Sequence, residues 1–548
     1  MKEILKNRLF WIIMIIILAI AIRMFGVGLE LFSDENVWAE TVINSPHLIN
    51  QPELYIPHPP LAVLGYIATT SMFGLVPLGF RIFPLMVGVI SIIVVYLFSS
   101  ELYDRKTGLI TSLLMAITFY PIWASLYVDV DGNLLLLFTV LTVFSYFKFS
   151  KTKDKKFIVL TGIFLGLSML SKYPAILIPV ILLIYDFMET KLKNLKSLLF
   201  VFLIGAVVFS IFPIGAYLVG SPEIFLRTIG WGTTNLSERS IITASGFEAF
   251  GISMAKTINF LFFYAMPFIP LLALYAYFWK RRKQEKILFI YLLVFLIFYT
   301  FILYGGVKLR YLMVIIPPLY ILSGRVISDI FNKISKNDII NFIATFVISF
   351  LIIIGLNSYG TTQDFNAQTA SFDLIVNNSF YWYSGHGSSP FAIHIHSFIF
   401  VSVLSVILFL GIIYAKKDTK KLLIIILISL NLSYNFFVVA ESFNPTIGPD
   451  YSKTFREMAF DVDAMNLKEP IYNMVKGLNL NAKKELVGLS PYLTEYDVSG
   501  TIIMIDTQAF GHPAYKTFED YVKNHCTEKK VFYSNGQKFG YFFECGGA

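Results

Sequence analysis

Charge is scarce in this sequence and cysteine scarcer still. Asp, Glu, Lys and Arg make up 15% of 548 residues, against 56% for the hydrophobic types, and the mean hydropathy is +0.68. A water-soluble domain of this length cannot be covered with so few charged side chains. Cys526 and Cys545 are the only cysteines, too few for a disulfide framework or a thiolate metal cluster. They leave two readings, one bridge in an oxidising compartment or two buried free thiols. Self-similarity at a solenoid period and low-complexity tracts are also missing, which removes repeat and linker architectures. The net charge of +8 lies in short basic clusters between apolar runs, where membrane topology explains it and a nucleic-acid partner does not.

What is present is a succession of apolar runs, each near the roughly 20 residues that a helix needs to cross a bilayer. The predicted fold is a polytopic α-helical membrane protein with about 13 transmembrane helices over residues 1–440, followed by a small extracytoplasmic α/β domain over 441–548. The run from Leu9 to Phe25 has a basic start but no small-residue cleavage site, and reads as a retained first helix. Basic connections at 104–106, 151–156, 191–196, 280–286, 333–338 and 416–421 place one side in the cytoplasm. The loop 26–79, the connections around 122–131, 172–174, 219–256, 305–310 and 358–393, and everything after about 441 then face outward. The expected location is the plasma membrane. In the terminal domain, TIIMID (501–506) reads as a buried strand, FEDYVKNHC (518–526) as a helix and KVFYSNGQKFGYFFEC (530–545) as a hairpin turning at Asn535-Gly536.

Ionisable residues at a membrane edge are costly, so those outside the basic clusters are candidates for function. Asp34 and Glu35 follow the first run directly; acids in the first turn of a short helix capped by Ser33 are one account of them, and a catalytic or ligand-binding pair is the other. Pro57, Pro59 and Pro60 stiffen the backbone around His58, which fits a rigidly presented imidazole as well as a proline-bounded helix start. Asp129 and Asp131 stand at the outer start of a span; residues two apart point different ways on a helix, so one of them is expected to face the first-loop acids. Lys172, Lys308 and Arg310 lie at outer helix ends against the charge rule. An anionic ligand at the membrane edge explains them, as does snorkelling to headgroups. His386, His394 and His396 read as solvated or capping residues.

In this order the motifs resemble those of the GT-C type membrane glycosyltransferases, especially the group that holds the dolichyl-phosphate-mannose protein mannosyltransferases and the aminoarabinose (lipid A) transferases. The features that carry it are the acidic pair Asp34-Glu35, the HPPL element His58 to Leu61, Asp131 in DGNLLLLF, the helix end at Lys172 and the segment from Lys308 through Tyr311 to Leu319. The match runs from about residue 9 to 325. Where many relatives have an arginine shortly before the span acid, this chain has Leu126.

The resemblance implies transfer of a sugar, with inversion, from a polyprenyl-phosphate donor to a protein, glycan or lipid acceptor on the outer face. Asp34 and Glu35 would be the catalytic residues, with Asp34 as general base. Lys172, Lys308 and Arg310 would hold the donor phosphate, and His58, Asp131 and Tyr311 would position substrates. No obligatory cofactor is implied; a divalent metal bridging Asp34, Asp131 and His58 stays open. A transporter or lipid flippase, or a non-catalytic membrane scaffold, are the competing readings, against which stand the absence of repeated halves and the gathering of charges at one face.

Overall fold

In hydrocarbon every backbone N–H and C=O must find its partner within the chain, so apolar runs of this length become helices. The structure, a computed structural model, describes residues 8–28, 31, 34–52, 55–238, 254, 257–258, 261–262, 266–279, 282–302, 309–331, 335–359, 395–443, 471–473, 486–488, 500–505, 522–534 and 537–545. The protein is a multi-pass membrane protein: among the described residues nine helical stretches are long and apolar enough to cross a bilayer, with Leu9–Met24, Leu61–Phe73 and Phe268–Phe278 as shorter apolar helices.

In chain order the helices are α1 (Arg8–Met24), α2 (Asp34–Ile43), α3 (Leu61–Phe73), α4 (Pro77–Leu102), α5 (Arg105–Ile117), α6 (Phe119–Ala124), α7 (Leu136–Thr152), α8 (Lys155–Met169), α9 (Leu177–Thr190) and α10 (Leu195–Phe209). They continue with α11 (Ile211–Leu218), α12 (Pro222–Glu238), α13 (Phe268–Trp279), α14 (Lys286–Ile297), α15 (Ile316–Ile330), α16 (Lys336–Tyr359), α17 (Ile395–Tyr414) and α18 (Lys417–Phe443). The stretch Arg310–Ile330 is almost wholly buried and forms the centre of the bundle, whereas Leu195–Leu218 and Lys336–Leu356 turn most of their apolar surface outward.

The span expected over 107–121 is divided. Thr118 takes an extended conformation, ending α5 and starting α6. The break is held from outside by Asn435 of α18: its Oδ1 accepts from the Phe119 N–H at 2.8 Å and its Nδ2 donates to the Ile117 carbonyl at 2.8 Å. A buried amide side chain thus supplies what the interrupted helix cannot. Among the described residues two π-helical turns occur, Asp131–Leu135 at the start of α7 and Phe298–Ile302 at the end of α14. Gly132 is required in the first of them, since a Cβ there would sit 2.5 Å from Met313 Sδ and 2.7 Å from Ala124.

The basic connections are tied to one another. Lys148 pairs with Glu101 at 2.9 Å, Lys286 with Glu189 at 2.7 Å, Lys421 with Asp338 at 2.5 Å and Arg282 with Asp329 at 2.7 Å. Deeper in, Arg325 Nη2 meets Glu285 Oε1 at 2.8 Å, and the Tyr103 hydroxyl donates to the same oxygen at 2.8 Å. One end of the bundle is therefore closed by ion pairs between successive connections.

The C-terminal part contains a five-stranded sheet of order β2-β1-β3-β5-β4, with β1 (Ile471–Asn473), β2 (Leu486–Gly488), β3 (Gly500–Ile505), β4 (Thr527–Ser534) and β5 (Gln537–Cys545). β1 is parallel to β2 and β3, while β5 is antiparallel to β3 and β4. The expected strand at 501–506 is β3, and the expected hairpin is β4-β5, whose register pairs Ser534 with Gln537 across the two residues between them. Of the expected helix at 518–526, residues 522–525 are described and helical. Cys526 and Cys545 form a disulfide, which decides between the two readings of these residues and joins the helix end to the last residue of β5. The pair is 19 residues apart, so Cys526→Ser is expected to lower the stability of this sheet by about 3 kcal/mol. Thermal unfolding followed by proteolysis of the C-terminal part would measure it.

Candidate active site

Between α6 and α7 the chain runs through residues 125–130 without regular hydrogen bonding of its own, inside the bundle. Backbone groups at such depth must be met by side chains; four residues do so, and a fifth, Arg23, anchors the Ser125 side chain. Glu35, in the first turn of α2, accepts from the Val128 N–H at 2.9 Å. Arg81 of α4 donates to the Leu126 carbonyl at 2.7 Å. Tyr66 of α3 donates to the Asp129 carbonyl at 2.9 Å, and Asn133 Nδ2 donates to that same carbonyl and to Tyr127 O. From α1, the buried Arg23 donates to Ser125 Oγ at 2.5 Å and to the carbonyls of Ala116 and Met115 that end α5.

Glu35 and Arg81 also face each other as a two-pronged pair, Nη1 to Oε1 at 2.7 Å and Nη2 to Oε2 at 2.9 Å, both side chains buried. The geometry is the fork-to-fork match that makes arginine–carboxylate pairs strong. Oε1 accepts from both Arg81 and the Val128 N–H and Oε2 accepts from Arg81, so Glu35 braces the 126–128 segment directly and through Arg81. Glu35→Gln keeps the shape but weakens charge-assisted bonds, and a loss of about 1–3 kcal/mol in stability is expected, readable as a lowered melting temperature of the purified protein in detergent.

The segment so braced delivers two acids to two bases. Asp131 Oδ2 meets Lys172 Nζ at 2.5 Å, and Asp129 Oδ2 meets Arg310 Nε at 2.7 Å. The cross distances are 4.0 Å from Lys172 to Asp129 Oδ1 and 3.5 Å from Arg310 to Asp131 Oδ2. All four side chains are buried, and their formal charges cancel. The expectation that one aspartate faces away is corrected: Asp129 precedes the helix, and its non-helical backbone lets it converge with Asp131 on the same cations. Lys172 stands in the turn after α8, just ahead of a short 3-10 segment Tyr173–Ile176, and Arg310 in the 3-10 segment Leu309–Ile315. The half-buried ring of Tyr311 lies under both, 4.8 Å from Lys172 Nζ and 5.5 Å from Arg310 Cζ, and stacks on Tyr299 of the second π turn at 5.5 Å.

His58 sits beside this cluster. Its Nδ1 is 2.8 Å from the Pro57 carbonyl, and its ring centre lies 5.2 Å from that of Trp38 on α2 and 4.7 Å from that of Trp231 on α12. α12 is fixed to the first loop by Ser221 Oγ, which donates to Ile49 O at 2.6 Å, and by Arg227, which donates to Pro52 O. Burial first, and the Lys172 charge second, push the His58 pKa down to about 4, so the imidazole is neutral at pH 7.

Asp34 is the first residue of α2, directly before the Glu35 brace; its side chain lies outside the described residues. So do Lys308, Ser33, His386 and His394, and the side chain of His396. Among the described residues no group of three or more His, Cys, Asp or Glu side chains is arranged to hold a metal ion. Arg23, Arg81 and Asn133 were not among the residues the sequence singled out. Arg23 and Arg81 are single cations close to apolar runs, and that alone could have marked them.

Two comparisons bear on this architecture. Residues 57–217 match the family described as Dolichyl-phosphate-mannose-protein mannosyltransferase. No curated protein matches the chain by sequence. Among solved structures the fold is similar to that of ArnT from Cupriavidus metallidurans bound to undecaprenyl phosphate, with a TM-score of 0.59 at 13% identity over 97% of this chain and 98% of that one. The apo state of the same enzyme gives 0.56 at 14% identity, covering 97% of each chain. A looser likeness, with a TM-score of 0.45 at 15% identity, covers 74% of this chain and 58% of the archaeal oligosaccharyltransferase AglB from Archaeoglobus fulgidus. The resemblance drawn from the motif order is borne out as far as these comparisons reach: the chain has an ArnT-like fold and, over residues 57–217, matches the dolichyl-phosphate-mannose-protein mannosyltransferase family.

Proposed function

We propose that the protein transfers a sugar from a polyprenyl-phosphate carrier to an acceptor on the extracytoplasmic face of the plasma membrane. The observation that carries this reading is the buried Asp129–Asp131–Lys172–Arg310 cluster, set against the start of α2 by the contact of Glu35 with the Val128 amide. In this reading the contact sets the start of α2, which carries the proposed base, next to the segment that carries the cluster. ArnT, whose fold is similar, is described with undecaprenyl phosphate bound.

In the proposed reaction an acceptor hydroxyl or amine attacks the anomeric carbon while the bond from that carbon to the phosphate oxygen breaks, inverting the configuration. Asp34 takes the acceptor proton. The phosphate departs as an anion and needs no protonating acid, unlike the leaving group of a glycosidase. Lys172, Arg310 and Lys308 stabilise the charge it gains. Asp131 and Asp129 hold Lys172 and Arg310 in place so that their remaining donors face the phosphate. Tyr311 supports both cations from below, and Glu35 acts through Arg81 and the 126–128 backbone.

The sides follow from charge. The ion-paired basic connections belong to the cytoplasm, and the C-terminal sheet, with its disulfide, belongs to the oxidising exterior. Purified protein offered a panel of polyprenyl-phosphate sugars with acceptors from a cell extract is expected to consume one donor and release polyprenyl phosphate. Failure to bind polyprenyl phosphate in any form would overturn the proposal.

A further inference from the structure

The recognition of a phosphate requires hydrogen-bond donors, and the groups that line a phosphate site supply N–H or positive charge. His58 does neither in this structure. A carbonyl oxygen only accepts, so the 2.8 Å contact between Nδ1 and the Pro57 carbonyl places the ring proton on Nδ1. Nε2 is then a lone-pair acceptor, and no hydrogen-bond partner for it occurs among the described residues. The ring is held in this state from several sides. Lys172 and Arg310 lie near enough to disfavour a further positive charge, burial does the same, and Asp129 opposes them. Trp38 packs on one side, buried in the bundle; Trp231, more than a third exposed, stands edge-on at another.

An acceptor nitrogen beside indole rings is the chemistry of a sugar subsite. The exposed indole of Trp231 can cover a C–H face of a pyranose, the buried Trp38 backs the His58 ring, and a neutral nitrogen orients one hydroxyl. We infer that His58 recognises a sugar hydroxyl, accepting its hydrogen bond at Nε2 beside Trp38 and Trp231, and takes no part in binding the phosphate. This rests on the proposed glycosyl transfer and assigns to one residue the polarity of the group it reads. The hydroxyl belongs to the donor's sugar or to the acceptor, and the two are separable by kinetics.

The test uses the full-length protein in nanodiscs, as wild type, His58→Ala, His58→Gln and His58→Lys. Each is measured for affinity to undecaprenyl phosphate carrying no sugar, and for kcat and KM with the donor that the wild type consumes. The expected result is undecaprenyl phosphate affinity within about two-fold of wild type in His58→Ala and His58→Gln, with kcat/KM down at least about tenfold in His58→Ala. His58→Gln, whose amide oxygen accepts, recovers most of that loss, and His58→Lys, a pure donor, does not. A higher KM for the donor assigns the hydroxyl to the donor sugar; a higher KM for the acceptor alone assigns it to the acceptor. Tenfold weaker binding of sugar-free undecaprenyl phosphate by His58→Ala, or wild-type rates from His58→Lys, would overturn the inference while leaving glycosyl transfer intact. Wild-type protein that neither binds undecaprenyl phosphate nor consumes any donor removes the proposed function itself.

Discussion

Asp34→Asn is expected to cut sugar transfer by about 10²–10⁴-fold, the usual contribution of a positioned general base, with little change in folding or in the binding of undecaprenyl phosphate. The reasoning begins with position. Asp34 opens α2, where the helix dipole favours an ionised carboxylate, and its neighbour Glu35 is locked to Arg81 and the Val128 amide. That anchoring sets the backbone of Asp34 beside the segment that carries Asp129 and Asp131. Asparagine preserves size but cannot take up a proton at neutral pH. Donor consumption by purified wild type and variant is the measurement. Equal turnover by both would remove Asp34 as the base and shift the role to another group.

The second large effect concerns the ion cluster. Asp131→Ala leaves the buried Lys172 ammonium with Asp129 as its remaining acid, at 4.0 Å. Breaking one member of a buried pair costs about 3–5 kcal/mol, mostly because the other charge is stranded. The double variant Asp131→Ala with Lys172→Met removes both charges and is expected to regain most of that stability without regaining transfer. Thermal unfolding in detergent reports the first quantity and donor turnover the second. A double variant no more stable than Asp131→Ala would mean that the pair is not coupled as described. A double variant that still transfers sugar would remove Lys172 from the phosphate site.

How far this was readable from the sequence differs by residue. Lys172 and Arg310 were visible because they break the distribution of basic residues across the membrane, a rule that needs no tertiary contact. Asp131 and His58 were visible through their place in an ordered series of short motifs. The Glu35–Arg81 pair was hidden, since its partners are 46 residues apart and on different helices; only the fold brings them together. The pairing engages Glu35 with Arg81 and the Val128 amide, contacts that adjacency to Asp34 alone could not reveal. That Asp129 and Asp131 converge on the same cations was not visible, because helical spacing does not apply to a segment that is not helical. The division of α5 from α6 at Thr118 was beyond reach for a similar reason: it depends on Asn435, contributed by α18 more than 300 residues away in sequence. The β4-β5 hairpin, by contrast, was legible through local turn chemistry.

The widened turn at Asp131–Leu135, marked by the bond from the Leu135 N–H to the Val130 carbonyl at 2.9 Å, has the count of an ordinary helical turn plus one residue. Loss of a single amino acid there would restore regular winding and rotate everything before it by about 100° relative to the rest of the span. The lower part of the span would still pack, and every side chain named above could still be present in the gene. Asp129 and Asp131 would nevertheless point elsewhere, and Lys172 and Arg310 would lose their partners. The four-residue ion cluster in this architecture therefore depends on winding within a helix as much as on residue identity, and a deletion of one residue that leaves all four charged side chains in the chain is enough to take it apart.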